Sequence, residues 1–229
     1  MSLSKSLRHV AMVACAAAGL GLTFSSAVLG ADPPPDVTPD GLHLRKSTKS
    51  TVVYVKPGAT FGKYDKVAIL ECLVEFDKNW QRDYNSSATT RVSDSDMDRI
   101  KKGLADEFKK VFTKELTKGG YQVVDSAAPD VLVLRPAIVN LRVTAPDLMT
   151  PGISRTVMRS AGSMTLYLEL WDSTSNTILA RAMDAQSDQG MNGQVSSRVT
   201  NTAAASTILR NWADVLRDRL DAARAAPPG

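Results

Sequence analysis

The chain has 229 residues, with 28 Lys and Arg against 24 Asp and Glu, a formal charge of +4. That length allows one domain with a sizeable core and leaves little room for a second. Lys5 and Arg8 account for two of the positive charges; without residues 1–30 the balance falls from +4 to +2, which is weak ground for a nucleic-acid partner. Cys72 is then the single cysteine, which excludes an internal disulfide.

The N-terminus reads as an export signal. Lys5 and Arg8 precede the apolar run Val10–Leu22, and small residues follow around Ala27 and Gly30. A charged start, an apolar centre and a small-residue end are the three parts of a secretory signal peptide, here 1–30, with cleavage near Gly30/Ala31. The expected location is the bacterial periplasm or the exterior. Val28 and Gly30 fit the −3 and −1 positions; Ser25 and Ala27 offer a second cut. An uncleaved anchor is the rival reading, because Val10–Leu29 spans ~20 residues. Its glycines, hydroxyl residues and alanine-rich centre argue against it. Lipid anchoring at Cys15 is disfavoured, since the chain stays apolar after the cysteine instead of turning into a polar tether. No second apolar run is long enough to span a bilayer.

Residues 31–50 contain Pro33, Pro34 and Pro35 followed by polar and basic residues, the composition of a flexible arm. Thr51–Val55 is a β-branched run that suits an edge strand, and Lys56–Tyr64 is a loop with Pro57, Gly58 and Gly62. Lys66–Phe76 alternates as one strand, placing Ala68, Leu70, Cys72, Val74 and Phe76 on one face. Cys72 there reads as a buried, inert thiol. Asp77–Ser93 reads as a long polar loop carrying Trp80, Arg82 and Tyr84.

Asp94–Lys118 is the clearest helix. Met97, Ile100, Leu104, Phe108, Val111, Phe112 and Leu116 form one apolar stripe, Ser93 or Ser95 can cap it, and Gly119-Gly120 stops it. Tyr121–Asp125 and Val131–Val143 follow as strands. Arg135 breaks the alternation of the second, and Pro136 argues for an edge or a bulge. Thr144–Ser160 reads as a loop. Gly162–Trp171 alternates with Met164, Leu166, Leu168 and Leu170 on one face, and Thr177–Asp184 returns after turn residues as its hairpin partner. Ala185–Ser197 is loop-like. Val199–Arg224 is a second amphipathic helix with Ala203, Ile208, Trp212, Val215, Leu216 and Leu220, and 226–229 is a tail. The expected fold is therefore α+β over 51–225, a mostly antiparallel sheet of about five strands with two amphipathic helices packed on one face.

The chemistry of catalysis is sparse. His43 is the one histidine outside the signal, and it lies in the expected arm, so neither a Ser-His-Asp site nor a zinc set is within reach. Gly58–Lys63 is one residue short of a phosphate loop, has Tyr64 in place of the Ser or Thr that would hold Mg²⁺, and precedes a strand rather than a helix; a plain turn explains it. Asp184 with Asp188, and Glu169 with Asp172, are acid pairs that a hydrolase could use, though solvated or turn-capping acids account for them equally. Lys101, Lys102, Lys109, Lys110, Lys114 and Lys118 alternate with acids as an ion-paired helix face. Asn85-Ser86-Ser87 is a formal glycosylation sequon without meaning in a bacterial chain. No cofactor or metal is expected. Trp80, Arg82 and Tyr84 are the residue types of an interface anchor, with burial on the domain's own rim as the plainer alternative.

Four segments resemble a bacterial family of exported, often lipid-anchored proteins, the domain of unknown function 3313. They are Pro39-Asp40-Gly41-Leu42, Tyr54 through Tyr64, Gly162-Ser163-Met164 running on to Asp172-Ser173, and Asn211-Trp212-Ala213. The resemblance implies an envelope role and supplies no catalytic residue. The reading that fits best is a non-enzymatic binding or accessory module whose partner is an envelope protein or wall polymer. A periplasmic small-molecule or lipid-binding domain using Tyr167 and Trp171 is the second reading, and a carboxylate-dependent hydrolase using Asp184 or Asp188 the third.

Overall fold

A tight turn at Thr38-Pro39-Asp40-Gly41 sets the chain's first direction. The Gly41 N–H donates to the Thr38 carbonyl at 2.9 Å and the Leu42 N–H to Thr38 Oγ1 at 3.0 Å. Gly41 sits at φ +80°, a conformation that favours glycine. The turn feeds β1 (His43–Ser47) and then β2 (Thr51–Val55). There follow β3 (Lys66–Ile69), β4 (Leu73–Phe76), α1 (Trp80–Ser87), α2 (Asp94–Lys118), β5 (Gln122–Val123), β6 (Val131–Val143), β7 (Gly162–Asp172), β8 (Thr177–Ser187) and α3 (Arg198–Ala225). These come from a computed structural model that describes residues 33–144, 146, 162–187 and 198–225. The segment expected as a signal, with Cys15, most of the loops expected at 144–160 and 185–197, Asp188 and the tail 226–229 lie outside the described residues; Ala185 to Ser187, expected in the second loop, extend β8 instead. Pro33–Gly229 forms one compact unit.

The strands make one sheet in the order β1-β2-β8-β7-β6-β3-β5, with β4 also paired to β6. Along β1-β2-β8-β7-β6 successive strands run antiparallel, while β3 and β4 pair with β6, and β5 with β3, in parallel. The α+β class stands, but the sheet has eight strands rather than five. The additions are short pieces that carry little periodicity. His43–Ser47 pairs as β1 inside the stretch expected as an arm, and Leu42 beside it is fully buried. β2 therefore lies inside the sheet and not at its edge.

The expected single strand 66–76 is two. Leu70-Glu71-Cys72 interrupts it, and the core phase changes across the break, from Val67 and Ile69 to Cys72, Val74 and Phe76. Opposite the break, β6 carries Pro136. The Leu70 N–H donates to the Leu134 carbonyl at 3.0 Å, so by strand alternation the ring nitrogen of Pro136 faces the same side and has no hydrogen to give. Pairing stops at Ile69↔Leu134 and resumes at Leu73↔Ala137 with one extra residue on the β3/β4 side. Cys72 is a buried free thiol, and burial pushes its pKa up to about 12.

One large cluster unites Leu132, Leu134 and Ile138 of β6, Met164 to Leu170 of β7, Phe108 and Phe112 of α2, and Ile208, Trp212, Leu216 and Leu220 of α3. α2 begins with a capping box: Ser93 Oγ accepts from the Asp96 N–H, and Asp96 accepts from the Ser93 N–H. Val215, expected on the apolar stripe of α3, is 60% exposed.

Two buried or half-buried carboxylates bind distant segments. Asp184 accepts from Trp212 Nε1 at 2.8 Å, from Gln186 Nε2 at 2.7 Å and from the Thr51 hydroxyl, joining α3, β8 and β2. Asp172 accepts from Lys63 Nζ and Tyr64 OH, each at 2.7 Å, and from the backbone and hydroxyls of Thr174 and Ser175. The Lys63 bond foremost, then the Ser175 N–H and the Tyr64 hydroxyl, holds the Asp172 carboxyl far below the usual range. A depressed folded-state pKa adds stability above the ordinary aspartate value, and that stability drains as pH falls toward the folded one. Asp172→Asn is expected to cost about 2 kcal/mol at neutral pH. In urea melts the gap between wild type and variant should shrink below about pH 4; a gap independent of pH would contradict this assignment.

Candidate functional site

Buried residues of α2 and α3 share one cluster with Leu134, Leu170 and Ala180 of the sheet. Alternation sends Arg135, Glu169 and Arg181 to the other side, and the register sets them directly across from one another: Arg135↔Glu169 between β6 and β7, Glu169↔Arg181 between β7 and β8. The open face also receives Ala137 and Val139 of β6, Tyr167 of β7 and Leu73 of β4, while Trp171 of β7 and Met183 of β8 on the same side pack against a second buried cluster of Leu42, Val52, Tyr54 and Ile178.

Glu169 is the acceptor at its centre. Its Oε1 takes Tyr167 OH at 2.8 Å, Arg181 Nε at 3.0 Å and Arg181 Nη2 at 2.9 Å, and its Oε2 takes Trp171 Nε1 at 3.0 Å. Arg181 continues to Asp40 in the N-terminal turn, Nη2 to Oδ2 at 2.5 Å. Burial alone would pull the Arg181 pKa down, but its two carboxylate neighbours raise it. At Asp40 burial pushes up, and the hydrogen bonds from Arg181 and Thr38 outweigh it and lower the pKa. Burial, with donation to Glu169 next, raises the Tyr167 hydroxyl.

Arg135 is different. It is exposed, and its guanidinium lies 4.9 Å from the centre of the Trp171 ring, a cation–π contact. It makes no ion pair among the described residues, although Glu169 is its direct cross-strand neighbour.

Other expected site residues find structural duties. Trp80, expected on a polar loop, opens α1 and is only 4% exposed. Its Nε1 donates to the Val143 carbonyl at 3.0 Å, and its ring stacks on Phe76 at 4.5 Å and Tyr84 at 5.5 Å. Trp80 is thus a core residue; Tyr84 is half-buried against it, and only Arg82 is open, paired with Asp83 at 3.0 Å. Asn85 of the sequon exchanges two bonds with the Val92 backbone. Lys63, the tempting phosphate ligand, pairs with Asp172, and Gly58 at φ +73° makes the plain turn that was expected. Asp184, one of the candidate hydrolase acids, is the acceptor of Trp212. Tyr167 and Trp171 do project together from β7, but their polar atoms both go to Glu169. Sequence reading marked Arg135 only as an exception to alternation, and that exception was the available signal. Among the described residues no three His, Cys, Asp or Glu side chains converge as a metal-binding group.

Over residues 40–216 the sequence matches the family described as Protein of unknown function (DUF3313). The chain belongs to this family. Curated proteins provide no match. Among solved structures the DUF3313 chain is similar to the PelC dodecamer from Paraburkholderia phytofirmans, at 12% identity and a TM-score of 0.37 over 71% of this chain and 96% of that one. It is also similar to a minor lipoprotein from Acinetobacter baumannii, at 13% identity and a TM-score of 0.34 over 70% and 95% of the two chains. A protein of the DUF330 family from Xanthomonas campestris is 13% identical with a TM-score of 0.37, over 74% and 90%. Likenesses this distant carry no argument about function.

The different surroundings of the three loop residues predict different costs. Trp80→Ala should destabilise the protein by about 3–5 kcal/mol, the cost of emptying a buried indole site, whereas Arg82→Ala should stay within about 0.5 kcal/mol. Denaturant midpoints at neutral pH measure both; similar values would remove the distinction.

Proposed function

We propose that this DUF3313 chain is a non-enzymatic binding or accessory module of the bacterial envelope, acting after export and signal cleavage through the open face of its sheet. The observation that carries the reading is the arrangement on that face. Arg135, Tyr167 and Trp171 are the side-chain types that dominate binding hot spots, and here they are held in fixed positions by Glu169 and by stacking. Leu73, on the same face, is 51% exposed, and Leu70 at the strand break is 45% exposed. Exposed leucines beside ordered aromatics and arginine suit a protein partner.

The acids that a hydrolase would need support the same reading. Asp184 and Asp172 each accept several hydrogen bonds from elements they hold together, and Glu169 accepts on both oxygens. A general acid or base needs a proton it can exchange with substrate; these carboxylates face protein donors.

Among the described residues no helix is long and apolar enough to cross a membrane. Intact mass of the protein from cells is expected to show an unlipidated chain beginning near Ala31; an acylated end at Cys15 would replace that expectation. A photo-crosslinking residue at Leu73 is expected to trap a specific envelope partner in intact cells, while the same residue at Val215, exposed on α3, traps none. Equal, non-specific yields from both sites together with a measured turnover would overturn the reading.

A further inference from the structure

We infer that Arg135 is the receptor for a carboxylate on the protein partner, an acidic side chain flanked by aliphatic ones that rest on Leu70 and Leu73; this builds on the binding role proposed for the open face. The reason is a row of alternating charges that runs across the sheet. Asp40, Arg181, Glu169 and Arg135 follow one another from the N-terminal turn through β8 and β7 to β6, with the last three in direct cross-strand register. Arg181 lies between two carboxylates, with Nη2 at 2.5 Å from Asp40 and 2.9 Å from Glu169. Opposite charges set across neighbouring strands stabilise each other.

The row ends without a terminal acid. Beyond Arg135 the next strand is interrupted at Leu70-Glu71-Cys72, across from Pro136. Glu71 has the sign that would continue the row, but it is exposed in the break and makes no ion pair among the described residues. Glu75 on β4 is engaged with Lys101 at 3.3 Å. Arg135 therefore keeps its guanidinium donors, and the Trp171 ring 4.9 Å away restrains it before any partner arrives. A pre-oriented guanidinium loses less freedom on binding and takes a carboxylate in two parallel bonds. Among the described residues one unpaired guanidinium stands beside the two exposed leucines, which suits a carboxylate on an aliphatic surface better than a phosphate polymer, whose binding rests on several cations.

The test uses the purified protein and three soluble synthetic peptides that differ at one position, with Leu-Glu-Leu, Leu-Gln-Leu or Leu-Lys-Leu at their centre. Binding is followed through the Arg135 Nε–H and Trp171 indole resonances. The Glu peptide is expected to bind saturably and roughly tenfold more tightly than the Gln peptide, the effect of one charge-assisted bond. Arg135→Leu should erase that preference with an unchanged melting temperature, and Arg135→Glu should transfer it to the Lys peptide. Equal binding of the Glu and Gln peptides, a preference that survives in Arg135→Leu, displacement by inorganic phosphate, or no saturation up to about millimolar peptide would each overturn the inference. Persistent partner trapping from Leu73 alongside any of these would leave the binding role standing and remove only the carboxylate.

Discussion

The Glu169 carboxylate determines what every other polar group on the open face can do. A carboxylate offers about four acceptor positions, and Tyr167, Trp171 and two nitrogens of Arg181 make four contacts to it. Three of these fall on Oε1 and one on Oε2, so the carboxylate's charge is engaged by its own neighbours, and Arg135, directly opposite, makes no ion pair with it. The same contacts fix the two aromatic rings, and the Trp171 ring then provides the surface on which Arg135 lies. Arg181 passes the connection on to Asp40, so the N-terminal turn is bound to the face it borders. One shared acceptor thus ties both aromatics together and, through Arg181, binds the N-terminal turn to the same face.

Residues of the four family-like segments serve the same kind of purpose elsewhere. Asp40 meets Arg181, Tyr64 meets Asp172, and Trp212 meets Asp184. Each contact joins segments far apart in the chain, and each uses a charged acceptor that would be costly to leave unpaired in a low-dielectric setting. Apolar packing between a sheet and two helices tolerates sliding, because aliphatic contacts have no direction. Directional bonds at these few points select one registry. That is a structural reason for such residues to stand out in a sequence without any catalytic role.

Long periodic segments were legible and short ones were not. The limits of α2 and of β6 follow from apolar spacing, the capping serine and the glycine stop, and the structure places them at Asp94–Lys118 and Val131–Val143 as expected. β1, β5 and the split between β3 and β4 are too short to show a period, and they hold together through neighbours that a local reading does not contain. α1 was read as loop because eight residues with a polar majority give only one turn-spaced aromatic pair, Trp80 and Tyr84. The site was legible in part. Tyr167 and Trp171 fall on one side of a clean alternation, but their shared acceptor is visible only once the strands are set in register.

The two residues of β6 that violate the strand pattern are neighbours, and the structure gives them complementary effects. Pro136 withdraws a donor where β3 would continue, so the adjoining strand breaks and carries Glu71 out of line. Arg135, one position earlier, meets no acid on that side, and on the other side Glu169 is engaged by Tyr167, Trp171 and Arg181. Either feature alone would leave a route to an internal ion pair. Together they keep a charged group unpaired at the centre of a sheet face, at a place where an apolar residue would have satisfied the pattern. A departure from local rules that is maintained from both sides is the kind expected where a surface is shaped for something outside the chain.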